Sequence, residues 1–230
     1  MIRQDAFFGH TMITGNVGTG KTTLIKILSN ACIHLGHIVL AIDPKNDQDW
    51  VDGMKKECEA LKIPFYSFHP SKGSTSVAID PCANFTRDGE LASRISGIQS
   101  DPSKADPFRD FAWYAIYRTT IGCRYLGEKP TLKRLYKYMT VGRTDFFTAV
   151  MERYFDNTVG KDWKNTLRSQ IEGASKTKDW TEGMVNIYET KFRSGTPIDA
   201  VDEIVAAFRH PYEHYQKMTT AILPLFANLT

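Results

Sequence analysis

No run of the chain approaches the roughly 20 apolar residues that a bilayer-spanning helix needs, and Met1-Ile2-Arg3-Gln4-Asp5 lacks the apolar core of a secretory leader. As it stands, the chain is expected neither to cross a membrane nor to be exported. Cysteine is sparse: Cys32, Cys58, Cys82 and Cys123 are scattered, with no CxxC pair. That argues against a disulfide scaffold or a cysteine zinc site and predicts reduced thiols that fill the core in a cytosolic compartment. Charge of one sign is also lacking. With 29 basic and 26 acidic residues the net charge is +3, too weak to imply nucleic acid by itself, although the whole basic excess falls in residues 110–200. Internal repeats and low-complexity tracts are absent.

What remains is ordinary globular material. In 230 residues, 42% are apolar and 24% charged, enough for a buried core and for one large or two small domains.

The first hundred residues alternate between β-prone and helical patterns. His10–Thr14 is a short β-prone run, residues 15–20 are glycine-rich, and Leu24, Ile27, Leu28, Ala31 and Leu35 recur at helical spacing before Gly36. Ile38–Ile42 (IVLAI) has the continuous apolarity of a strand buried on both faces, Gln48–Leu61 reads as a helix with Trp50, Val51, Met54 and Leu61 inward, and Pro64–Phe68 supplies a third strand. This order predicts an α/β fold, a parallel sheet with right-handed crossovers.

After about Pro102 only helical patterns follow. Asp106-Pro107 opens one running through Phe108, Phe111, Trp113, Ile116 and Ile121 to Gly127, apolar nearly all round and so expected at the centre of a bundle. Shorter amphipathic pieces carry Leu132, Leu135, Tyr136 and Met139, then Phe146 to Phe155, then Trp180, Met184, Ile187 and Tyr188. Thr196, Pro197 and Asp199 read as the capped start of another, with Val201, Ile204, Val205 and Phe208 inward. A last helix from Pro211 to about Leu229 contains Pro224, which should kink or end it. The apolar stretch before Thr230 reads as a boundary inside a longer protein.

One motif carries specific chemistry. Gly15-Asn16-Val17-Gly18-Thr19-Gly20-Lys21-Thr22-Thr23 is a full GxxxxGK[ST] phosphate loop, placed after a β-prone run and before a helix. Its glycines let backbone amides curl round a phosphate, Lys21 reaches the β and γ phosphates of ATP as the catalytic cation, and the Thr22 hydroxyl is the ligand for Mg²⁺. The acids that such a site needs to hold Mg²⁺ and orient water are hard to find. Asp43 follows IVLAI and Asp80 follows SVAI, yet proline rather than a second acid comes next in both. His210-Pro211-Tyr212-Glu213-His214 spells HxxEH, but the 16 residues beyond hold no third ligand, and a solvated helix start is the simpler reading. Lys129, Lys133, Arg134 and Lys137 line one helix face, either as a wet exterior or as a contact for DNA or a protein partner.

Five blocks in order resemble the coupling ATPases of conjugative type IV secretion, of the TraD/TraG kind: GNVGTGKTT, AIDPKND at Ala41–Asp47, DPFRDFAWYAIYR at Asp106–Arg118, EKPTLKRLYKYM, and HPYEHYQKMTTAILPLFANLT. Asn46 stands where glycine would follow the DPK turn. The resemblance implies a RecA-like P-loop sheet, shared with FtsK/HerA translocases and here partial, over residues 1–101, an inserted all-α domain over 102–208, and a truncated return to the nucleotide-binding domain over 209–230. It also implies an ATP- and Mg²⁺-dependent motor that hands single-stranded DNA, or a relaxase of the relaxosome, to the secretion channel. The full protein would be an inner-membrane-anchored hexamer, and this piece a monomeric cytoplasmic fragment nearly inactive alone. Alternatives are another DNA translocase of that superfamily and a non-catalytic docking module for relaxosome proteins or DNA.

Overall fold

The computed structural model describes residues 9–69, 71–74, 76–99, 107–220 and 226. Contacts divide the chain into two units, Met1–Ile79 and Asp80–Thr230. Each is described by itself. Among the described residues no helix is long and apolar enough to cross a membrane.

The first unit is a helix pair. Helix α1 (Lys21–His34) ends before Gly36, and α2 (Gln48–Leu61) begins at Asp47, whose carboxylate accepts the Trp50 amide at 3.0 Å. Both bounds agree with the pattern in the residues. The two helices meet through Ile33, Met54 and Cys58, with Val39, Ala41, Trp50 and Phe65 packed against them. Polar bonds fix the same contact: Trp50 Nε1 donates to Ser29 Oγ at 3.2 Å, Lys26 Nζ lies 3.0 Å from Asp47 Oδ1, and His34 Nε2 lies 2.7 Å from Glu57 Oε2. Of the residues that recur at helical spacing, Leu24 and Ile27 on α1 and Leu35 at its end are exposed, as is Leu61, expected inward on α2.

The predicted parallel sheet is overturned. No strand occurs among the described residues, and the fold is mostly α-helical rather than a RecA-like α/β layer. A strand exists only as one side of a ladder of paired N–H and C=O groups, which apolar composition does not itself supply. Near the β-prone runs, Val77 N donates to Ser67 O at 2.9 Å, a single bond where a ladder needs a series. IVLAI is buried on one side only: Val39 and Ala41 lie against the helices, while Ile38, Leu40 and Ile42 are 101%, 88% and 83% exposed.

The second unit is a helical bundle. It comprises α3 (Asp88–Ser96), α4 (Pro107–Tyr125), α5 (Leu132–Met139), α6 (Arg143–Thr158), α7 (Trp163–Ala174), α8 (Trp180–Ile187) with a π turn at Tyr188–Phe192, α9 (Asp199–Arg209) and α10 (Tyr212–Thr220). Helix α4 is central as expected, meeting α3, α5, α9 and α10 along Ala112, Ala115, Ile116, Thr119 and Cys123. Small side chains there let neighbouring helices come close. Leu91, Ala92 and Ile95 of α3 are fully buried in the same core, so residues 80–99 pack with the helices that follow them. The Asp106 cap and the region around Pro224 lie outside the described residues. Thr196 does not cap α9: its hydroxyl pairs with Tyr154 Oη at 2.7 Å, and the helix begins at Asp199 without a side-chain cap. Cys58, Cys82 and Cys123 are buried, and burial pushes the Cys82 thiol up to about 11 and the Cys123 thiol up to about 12.

Candidate functional site

The GxxxxGK[ST] loop opens directly into α1. Gly18 and Gly20 both have φ +83°, and Gly20 is the residue at which the chain turns into the helix, a left-handed conformation that favours glycine. Thr19 N and Oγ1 both donate to Asn16 O, at 3.4 and 2.8 Å, closing the loop on itself. Lys21 folds back across it: Nζ donates to Gly15 O and to Asn16 O, both at 2.6 Å. The first bond into the helix runs from Leu24 N to Gly20 O at 2.9 Å. Among the described residues, nothing accepts from the amides of Lys21, Thr22 or Thr23 or bonds to the Thr22 hydroxyl, and α1 has no acid in its first turn. Three unclaimed amides, a helix dipole and an ammonium thus lie within one turn of chain, beside exposed Thr22 and Val17. The residues fit an anion with several phosphate oxygens, and Thr22 has the hard oxygen that suits Mg²⁺.

The two acids weighed for the metal do local work. Asp43 accepts the amides of Lys45 (3.0 Å) and Asp47, and Asp80 accepts Cys82 N at 2.9 Å and lies 3.3 Å from Lys129 Nζ. Asn46 has φ +55°, so the turn after Asp43 has the left-handed residue that a glycine would supply, with asparagine's tolerance for that region. Asp47, the last residue of the AIDPKND block, is the cap of α2, and an aspartate just before a helical pattern is a capping signal. It ties α1 to α2 through Lys26, whose side-chain bond, ahead of the Trp50 amide, holds the carboxyl below its usual range.

Of the four basic residues expected on one helix face, Lys133, Arg134 and Lys137 lie on α5 and Lys129 lies before it, and the set is partly spent internally. Arg134 Nε lies 3.1 Å from Glu128 Oε2, Lys129 pairs with Asp80, and Lys137 lies 5.8 Å from the Tyr138 ring centroid. Lys133 is exposed and has no partner among the described residues. His210 packs its ring on Phe111 with centroids 5.2 Å apart, and the described residues contain no group of three metal-ligating side chains. Compared with known proteins, the chain matches no family model, no curated protein and no solved structure.

Proposed function

We propose that the chain is the nucleotide-binding part of an ATP-driven DNA-transfer motor of the conjugative coupling kind. The observation that carries this reading is the complete GxxxxGK[ST] sequence sitting at a helix N-terminus with the amides of Lys21, Thr22 and Thr23 unclaimed. The family assignment rests on the order of the five sequence blocks, and with it come the relaxosome and single-stranded DNA as partners. Lys21, Thr22, Thr23 and residues 15–20 would hold Mg²⁺ and ATP, which when bound supplies the phosphoanhydride whose cleavage drives transfer. Lys21 neutralises phosphate charge, the three amides donate to phosphate oxygens, and Thr22 offers its hydroxyl to the metal. Asp43 and Asp80, both committed to turns, leave the chain poor in groups that orient water, so turnover by this piece alone is expected to be very slow.

The test is titration of ATP and ADP against the chain and its Lys21→Ala variant. A charge-assisted contact is worth about 1.5–3 kcal/mol, so the variant should bind roughly ten- to a hundredfold more weakly. Equal affinities would sink the reading. Phosphate release measured alongside should stay far below about 1 per second; lysine-dependent turnover at that rate would show that an acid in this chain completes the site.

A further inference from the structure

Between α4, α5, α6, α9 and α10 the helical unit encloses a cavity of about 220 Å³. Its walls are rings: Phe111, Tyr114, Tyr138, Phe146, Phe147 and Tyr215. An apolar cavity of roughly 150 Å³ holds benzene, so this one has room for a substituted ring or a small bicycle. The walls are graded in polarity. Phe146, Phe147 and Ile204 are buried, and the Thr119 hydroxyl is spent on Ala115 O at 2.7 Å, which leaves an apolar floor. Toward solvent stand Tyr114, half exposed, and Arg118, its guanidinium 5.5 Å from the Tyr114 ring centroid.

Arg118 is only partly used. Its Nε donates to Glu203 Oε2 at 2.9 Å, and its two terminal amino groups donate to no described residue. Beside the cavity a second guanidinium, Arg143, is 9% exposed, donates to Ala207 O at 3.0 Å and lies 4.6 and 4.5 Å from the centroids of Phe147 and Tyr215. No carboxylate among the described residues pairs with it. Arg143 stands outside the lining, packed on its Phe147 and Tyr215 rings, so its charge adds a net positive potential to a ring-lined space of low dielectric whose own guanidinium, Arg118, is met by the Glu203 carboxylate. Such a space favours an apolar anion, rejects a cation, and offers a neutral ring only the gain from burial.

We propose that this cavity binds a small aromatic carboxylate, its ring on the apolar floor and its carboxylate on the terminal amino groups of Arg118. The proposal is independent of the nucleotide reading. It is tested by titrating naphthoate, with naphthalenemethanol as the neutral counterpart, into the nitrogen-labelled whole chain and following amide resonances. Saturable shifts are expected on residues 111–119, 138–147 and 204–215, with naphthoate roughly ten- to a hundredfold tighter than the alcohol. Arg118→Gln should erase that preference while the alcohol still binds, and Arg118→Lys should keep part of it. Ala115→Leu, which fills the floor from α4, should abolish binding of both. Where Arg118→Gln disturbs the spectrum of the free chain, the lysine and leucine variants decide. Equal affinity for acid and alcohol, shifts elsewhere in the chain, or binding indifferent to Ala115→Leu overturns the proposal.

Discussion

At the scale of single residues, Gly183 shows how packing reverses a local preference. A methyl group added there would run into the carbonyl oxygen of Ile171 and lie 2.8 Å from Ile171 Cγ2, because α8 lies almost backbone to backbone on α7. In an open helix alanine is better than glycine by about 1 kcal/mol, whereas overpacking a core costs about 1–3 kcal/mol. Gly183→Ala is therefore expected to lower stability by roughly 1–2 kcal/mol, and Gly173→Ala in α7, where the added methyl meets open space, to raise it by about 0.5–1 kcal/mol. Urea denaturation of both variants checks this, and a shift in the same direction would show that the contact at Gly183 relaxes freely. Arg143 is the opposite case, a charge kept in the core by a helix-end carbonyl and aromatic faces. Burial pulls its pKa below the usual arginine value, while Tyr215 beside it is pushed up to about 12 by its own burial.

Among the helices, termini and their turns carry most of the legible signal. Asp47 and Asp179 each accept an amide of the helix that follows, Thr131 does the same for α5, and Gly36 and Gly127 end α1 and α4 at positive φ. Four carboxylates are held below their usual range: Asp47 by Lys26, Asp156 by Lys161, Glu182 by the Thr177 hydroxyl, and Glu90 by the Thr86 amide. Depressed values mean that the unfolded chain takes up protons first as the solution is acidified. The stability these groups contribute is thus complete above the ordinary carboxylate values of about 4 and lost as pH falls through the lower folded values. Thermal melts between about pH 6 and pH 2.5 should be flat at first and then drop; a melting temperature that rises below about pH 4 would contradict the assignment. Helices α3 and α7 were not legible. Leu91, Ala92 and Ile95, like Trp163, Leu167 and Ile171, do fall at helical spacing, but three apolar side chains in a short span are matched by many loops until a neighbour buries them.

For the whole molecule, the division at Ile79/Asp80 gives a direct expectation. Residues 80–230 should melt as one cooperative unit. Residues 102–208, which also hold a large aromatic core, should be less stable because they lose Leu91, Ala92, Ile95, Tyr215 and Phe226 from it. Equal melting temperatures for the two pieces would place α3 and α10 outside the cooperative core. By itself the sequence determined the features that depend on neighbours along the chain: the glycine-rich GxxxxGK[ST] turn and the helix it opens, the bounds of α2 and α4, and the apolar stripes of α6 and α8, while on α5 Leu135 and Met139 are buried and Tyr136 is exposed. Those follow from a period of 3.6 residues, from capping hydrogen bonds and from the backbone freedom of glycine, all local. Only the tertiary structure decided that IVLAI and its β-prone companions form no sheet among the described residues, that Asp43 and Asp80 turn the chain, and that Arg118 lines a cavity whose Phe147 and Tyr215 rings carry Arg143 packed on them. Each of these depends on a partner distant in sequence: a paired strand, a competing amide, or a helix some ninety residues away. Composition and periodicity do not encode which partner arrives.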